Sequence, residues 1–313
     1  VQELKRFRIG ASSKTVAFRT VFCLIVAVAL IACDNEKKKD LENERLTIEK
    51  LERMNTAGRL SDVVLDSLRA RKARYHITRD EYWEKEGGVL ANDFFELWYP
   101  PGPLTVSHGM FAFGELVEAK GTFNRYFGRD PGDHLLVVCV RTMADFVEKT
   151  GVEWWHYGKI DGDGIVFQPI DVLSQRKLAT VAPQHCYYEW GVDKVSKGRS
   201  PRWLTEGLAS VLSDEEWVLE LQMKEFAGEQ LAMTVDKAES ALKKKNDRKS
   251  YRIAAYIAWR MVRRLTAAHG QDKIAEAVIL MGNEKSRDKV FEQVFGQSYD
   301  EVAAYARNFK VGE

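Results

Sequence analysis

The sequence predicts an α+β fold in which a small mixed sheet comes first and an all-helical C-terminal half follows. Three observations carry this. The strand-like apolar runs all fall between residues 93 and 170. Beyond residue 183 the segments are helical by composition and by the spacing of their apolar residues. The stretch YRIAAYIAWRMVRRL at 251–265 is apolar around much of its circumference until its last turn, as a helix at the centre of a helical half must be.

The elements follow in order. Gly87 and Gly88 mark a boundary, and DFFELWY at 93–99 reads as a strand. PPGP at 100–103 excludes helix, because proline lacks the N–H and its ring clashes with the preceding turn. Residues 109–127 space Phe113, Leu116, Val117 and Phe123 for one helical face and stop at Gly128, a residue suited to the left-handed position after a helix. LLVVCV at 135–140 is a continuous apolar run and predicts a buried strand. A short helix is expected over 142–150, a DGDG turn at 161–164, and a further strand in GIVFQPI at 164–170. There Pro169, which cannot donate to a ladder, favours an edge or an end. Helices are expected over 214–228, 230–243 and 251–265. A glycine stop at 270, a helix to about Met281 and DKVFEQVFGQSYDEVAAYARNF complete the helical half.

The N-terminus reads differently. Lys5, Arg6, Arg8, Lys14 and Arg19 precede the uncharged run TVFCLIVAVALIA at 20–32. That run is shorter than the roughly 20 apolar residues of a permanent membrane helix. A basic segment followed by such a run has the layout of a secretory signal. It ends Leu30-Ile31-Ala32-Cys33, which resembles a bacterial lipobox. The resemblance implies cleavage before Cys33 and acylation of Cys33, with two or more acyl chains giving stable anchoring. An uncleaved anchor helix is the alternative. Asp34 resembles an inner-membrane retention signal. The expected organisation is a lipoprotein signal over 1–32, a charged helical stalk over 33–88, and a body over 89–313 held outside the cytoplasm, in the periplasm or another part of the cell envelope.

Lysine and arginine total 47 against 46 aspartate and glutamate, a formal charge of +1. Removing residues 1–32 takes away five positive charges and one negative and leaves −3. With no basic excess in the mature part, nucleic acid is not an expected partner. Besides Cys33, the mature part carries Cys139 and Cys186, which leave room for one disulfide in an oxidising compartment. No Cys-x-x-Cys or zinc-ribbon spacing occurs.

Two stretches carry the chemistry. PRWLTEGLASVL at 201–212 follows PQHCYYEW at 183–190, and sixteen residues separate Glu189 from Glu206. His185 and Glu189 lie four apart, so on a helix they leave the same face. Together with the order of elements over about 93–309, these stretches resemble the peptidase-MA-like gluzincins, a zinc metallopeptidase superfamily with a zincin-like fold. In those proteins a His-Glu-x-x-His helix supplies two metal ligands and the general base, and a Glu in a Trp-Leu-x-Glu-Gly-Leu-Ala helix supplies the third. The resemblance implies metal-ligand roles for His185 and Glu206, with zinc the expected ion. Glu189 stands where the family has its second His, and a carboxylate is a competent substitute ligand. Cys186 stands where the family has its general base, and a thiol is a poor proton shuttle there. Pro183 is a further departure, and it predicts a helix starting near 183 or a kink beneath His185. The small Gly207 and Ala209 are expected to let the motif's two helices approach closely.

Two functions follow. The favoured one is a pseudo-peptidase whose cleft binds a peptide or an envelope partner without cutting it, by adding a strand to the edge near 164–170. The alternative is an active metal-dependent peptidase with a His185/Glu189/Glu206 metal site.

Overall fold

The computed structural model describes residues 88–308, apart from 102–104, 133, 162–163, 227–232, 245–246 and 284–285, together with a few positions between 39 and 50 that are helical. The signal, Cys33 and most of the stalk lie outside the described residues. The chain divides into residues 1–85 and 86–313, and the second unit holds everything below.

Five strands form one mixed sheet. β1 (Gly88–Ala91), β2 (Phe95–Tyr99), β3 (Leu135–Cys139), β4 (Gly158–Asp161) and β5 (Gly164–Phe167) lie in the order β1-β2-β3-β5-β4. The three central strands run parallel, with Phe95 opposite Leu135 and Leu136 opposite Gly164. Both edges are antiparallel hairpin partners of their neighbours. Parallel neighbours need long crossovers, and here α1 (Thr105–Phe127) and α2 (Met143–Thr150) supply them. The remainder is helical: α3 (Ile170–Gln175), α4 (Val181–Ser196), α5 (Arg202–Leu212), α6 (Glu216–Met223), α7 (Val235–Lys244), α8 (Arg248–His269), α9 (Gln271–Asn283), α10 (Arg287–Phe295) and α11 (Tyr299–Ala303). The α+β class is therefore as the sequence predicts, a small mixed sheet followed by a helical half.

Three details differ from expectation. LLVVC is not buried on both faces. Leu135, Val137 and Cys139 are buried while Leu136 and Val138 are only partly covered, so the sheet has one fully packed face. The edge strand is β4 rather than the 164–170 segment. β5 is flanked by β3 and β4, and Pro169 marks its end, where α3 begins. β1 and β4 lack a sequence signal, because each is four residues long, too short for GVLA to show an alternation, and GKID holds a single apolar residue.

Two helices organise the helical half. α8 packs against α5, α6, α7 and α9, the central place that its circumference predicts. α4 packs against α1, α5, α9 and β4, and is buried from Val181 almost to its end. Pro183 is its third residue, within the first turn, where the proline's missing N–H has no intrahelical partner to lose. The helix runs from there through the site without interruption. α5 begins after Pro201, which has no capping side chain. Its exposed donors are met from a distance: Glu239 on α7 accepts from the Trp203 backbone N–H at 2.8 Å, a carboxylate at a helix N-terminus. The Trp203 indole N–H donates to Tyr299 at 3.0 Å and fixes the same end against the C-terminal helices.

Gly207 makes the closest approach of α5 to its surroundings. A Cβ there would stand 2.4 Å from the Ala258 carbonyl oxygen and 2.7 Å from Val262 Cγ2. The glycine of the motif thus brings α5 against α8, not against α4 as the sequence reading has it.

Candidate functional site

α4 and α5 each present a pair of residues four apart, and the two pairs face each other. On α4 these are His185 and Glu189, and on α5 Arg202 and Glu206. The imidazole Nε2 lies 3.8 Å from Glu189 Oε2 and 3.6 Å from Glu206 Oε1. Ligand atoms of His185, Glu189 and Glu206 all fall within 4.8 Å of one another, a buried cluster that can hold a metal ion. The three residues are 3%, 5% and 1% exposed. The sequence-predicted metal set is therefore brought together in full.

A fourth residue shares the cluster. Arg202 forms an ion pair with Glu189, lies 3.7 Å from Glu206 Oε2, and reaches Asp193, one turn further along α4, at 3.5 Å. Its guanidinium and a metal ion would neutralise the same carboxylates. The i, i+4 relation of Arg202 to Glu206 is visible inside PRWLTEGLA, but its pairing with α4 is a tertiary fact.

His185 is held from behind. Glu215, in the connection from α5 to α6, accepts from Nδ1 at 2.8 Å and also accepts from the Tyr157 hydroxyl. With Nδ1 held by Glu215, Nε2 is turned toward Glu189 and Glu206. Glu215 gets there because Asp214 adopts a left-handed backbone, φ 53°, which folds the chain back after α5. The Tyr157 ring stands edge-on to His185, 5.5 Å between centroids. On the other flank Tyr251 of α8 donates to Glu206 Oε1 at 2.6 Å. Burial, then the nearby carboxylates, push both phenols well above the ordinary tyrosine range, Tyr157 through Glu215 and Tyr251 through Glu206. Both remain neutral donors. Tyr256, on the same helix as Tyr251, packs instead against Trp259 at 5.5 Å.

Glu215 is the shared partner of His185 Nδ1 and the Tyr157 hydroxyl, so removing it should be costly. Glu215→Ala leaves His185 Nδ1 and the Tyr157 hydroxyl without their partner, at about 1–3 kcal/mol for each buried group. The expected result is a lower urea midpoint for Glu215→Ala with an unchanged slope, and a smaller loss for Glu215→Gln.

Cys186 is buried in the hydrophobic core, its Sγ 3.2 Å from where a Cβ on Gly158 would stand. Cys139 and Cys186 are both free thiols. Burial pushes the Cys139 thiol up to about 12.

Beside the cluster lies an open cleft of about 770 Å³. Glu189, Asp193 and Arg202 form part of its wall, and β4 forms another part through Gly158, Lys159 and Ile160. Arg202, Glu215 and Tyr157 are the site residues that the sequence reading misses. Glu215 and Tyr157 are distant in the chain and sit in no motif, so only the fold brings them in. No protein-family model matches this chain, and no curated protein matches it.

Proposed function

We propose that the chain is a lipid-anchored protein of the bacterial cell envelope whose body is a zincin-like, gluzincin-type module that binds an extended peptide without cleaving it. The observation that carries the reading is Arg202, whose guanidinium sits on Glu189 and beside Glu206. It supplies from within the chain the positive charge that a metallopeptidase takes from its ion. The placement of Cys186 agrees, since the thiol at the general-base position is packed in the hydrophobic core and is not among the residues that line the cleft. Positioned proton transfer is worth about 10²–10⁴ in rate, so losing it disables a peptidase even where its ligands persist. The basic leader and Leu30-Ile31-Ala32-Cys33 support the anchor and the envelope location.

The second reading, a working metal-dependent peptidase, is favoured by the convergence of His185, Glu189 and Glu206 and by the excess of buried carboxylate. One imidazole and two carboxylates suit a divalent cation, zinc included. A bound zinc would polarise a substrate carbonyl. Under this reading Arg202 swings away and Nε2, oriented by Glu215, is a ready ligand.

Elemental analysis of the purified full chain separates the two. The expected result is zinc, iron and manganese far below one atom per chain, with no cleavage of casein. One tightly held metal per chain together with chelator-sensitive caseinolysis would replace the first reading with the second.

A further inference from the structure

The cleft beside the cluster has a marked charge. Its wall carries Lys159, Lys194, Lys197, Lys243 and Lys244 besides Arg202, against the two carboxylates of Glu189 and Asp193. Both carboxylates are already engaged by Arg202. The remaining lysines come from three elements that the fold gathers: the β4 edge, the C-terminal end of α4, and the last turn of α7. Lys243 has Glu239 at 3.4 Å, on its own helix, and Lys159 donates to the Thr150 carbonyl. This concentration of positive charge contrasts with the formal −3 of the chain beyond residue 32. A concave surface lined by one sign of charge focuses its field and draws the opposite sign.

The same cleft exposes backbone. Among the described residues, β4 has β5 on one side and no strand on the other. The Gln168 N–H donates to the Tyr157 carbonyl, and the register pairs Lys159 with Val166. In an antiparallel ladder successive residues alternate, so Lys159 faces β5, while Gly158 and Ile160 turn their N–H and C=O groups outward. Those two residues line the cleft.

We infer that the ligand of this cleft is an acidic polypeptide segment, bound extended along the free edge of β4 with its carboxylates against the lysines of α4 and α7. This deepens the peptide-binding reading and rests on it. Backbone pairing at β4 supplies an affinity that does not depend on sequence, and the lysines select acidic side chains over neutral or basic ones. A polyanion without a peptide backbone meets the lysines but has nothing to offer the strand edge, which is why a polypeptide is the favoured occupant.

Fluorescence anisotropy on the full chain in detergent tests this with four labelled probes. They are a ten-residue peptide alternating Glu and Val, the same peptide with Gln for Glu, the acidic peptide N-methylated at alternate backbone amides, and a short polyphosphate. The acidic peptide should bind at least tenfold more tightly than the Gln peptide, and that margin should shrink at high salt. N-methylation should weaken binding tenfold or more. The variant Lys194→Gln/Lys197→Gln/Lys244→Gln should lose the preference for Glu over Gln while still binding both peptides, and circular dichroism and thermal unfolding identical to the parent would certify its fold. Equal binding of the acidic and Gln peptides overturns the charge inference and leaves the peptide-binding reading standing. Polyphosphate binding as tight as the acidic peptide, with N-methylation having no effect, overturns the polypeptide assignment. Failure of every peptide to bind overturns the peptide-binding reading itself.

Discussion

Gly207→Ala should destabilise the body by about 3 kcal/mol, the upper end of what overpacking usually costs. The direction is the informative part. In an exposed helix interior, glycine to alanine gains up to about 1 kcal/mol, because glycine surrenders more backbone freedom on folding. At Gly207 the new methyl meets the Ala258 carbonyl oxygen at 2.4 Å and its carbon at 2.7 Å. That obstacle is the main chain of α8, which no rotamer change can move. α5 must retreat from α8, and Glu206, adjacent in the chain, would retreat from Tyr251 with it. Gly114 serves as the control. It is exposed on α1, and a Cβ there has nothing within 4 Å, so Gly114→Ala should raise the urea midpoint slightly. Denaturant unfolding of the two variants should therefore move in opposite directions. A neutral or stabilising Gly207→Ala would mean that α5 and α8 are further apart than described.

Arg202→Met should have the second large effect, and it should be conditional. Without its guanidinium, Glu189 and Glu206 are two buried carboxylates facing each other with one imidazole between. Removing one partner of a buried ion pair typically costs about 3–5 kcal/mol. Methionine keeps an unbranched apolar stem of similar reach, so the loss reflects charge more than packing. The freed carboxylates and Nε2 of His185 then form a donor set for a divalent cation. The variant should unfold at lower temperature than the parent in chelator, and zinc should restore much of the loss while leaving the parent unmoved, since a ligand stabilises the state that binds it. Calorimetric melts with and without zinc provide the measurement. If Arg202→Met melts with the parent in chelator and ignores zinc, the guanidinium is not the internal counter-charge proposed for it.

The candidate site is legible in the sequence as far as helical periodicity reaches. His185 and Glu189 share a face because they are four apart, and their meeting with Glu206 follows once the two motif stretches are helices in contact. What is not legible arises between distant segments. Glu215 reaches His185 because Asp214 takes a left-handed backbone, and nothing in Leu212-Ser213-Asp214-Glu215 announces it. Tyr157 comes from a strand approach 28 residues before His185. The role of Gly207 shows the same limit. A small residue in a motif signals close contact without naming the neighbour, and the neighbour is the α8 backbone. In the sheet, LLVVCV gives β3 by its continuous apolar run, yet the edge position belongs to GKID, whose single isoleucine carries no pattern. Edge strands bury less and so need fewer apolar residues, which makes them the hardest to see.

α4 is enclosed by α1 and β4 from the sheet half and by α5 and α9 from the helical half. It has little surface of its own to give to water, so neither half can melt and leave it in place. The sheet and the helical bundle are thus thermodynamic hostages of one another, and a cleavage in the chain between α4 and α5 would yield two fragments that each lack a wall of their shared interior.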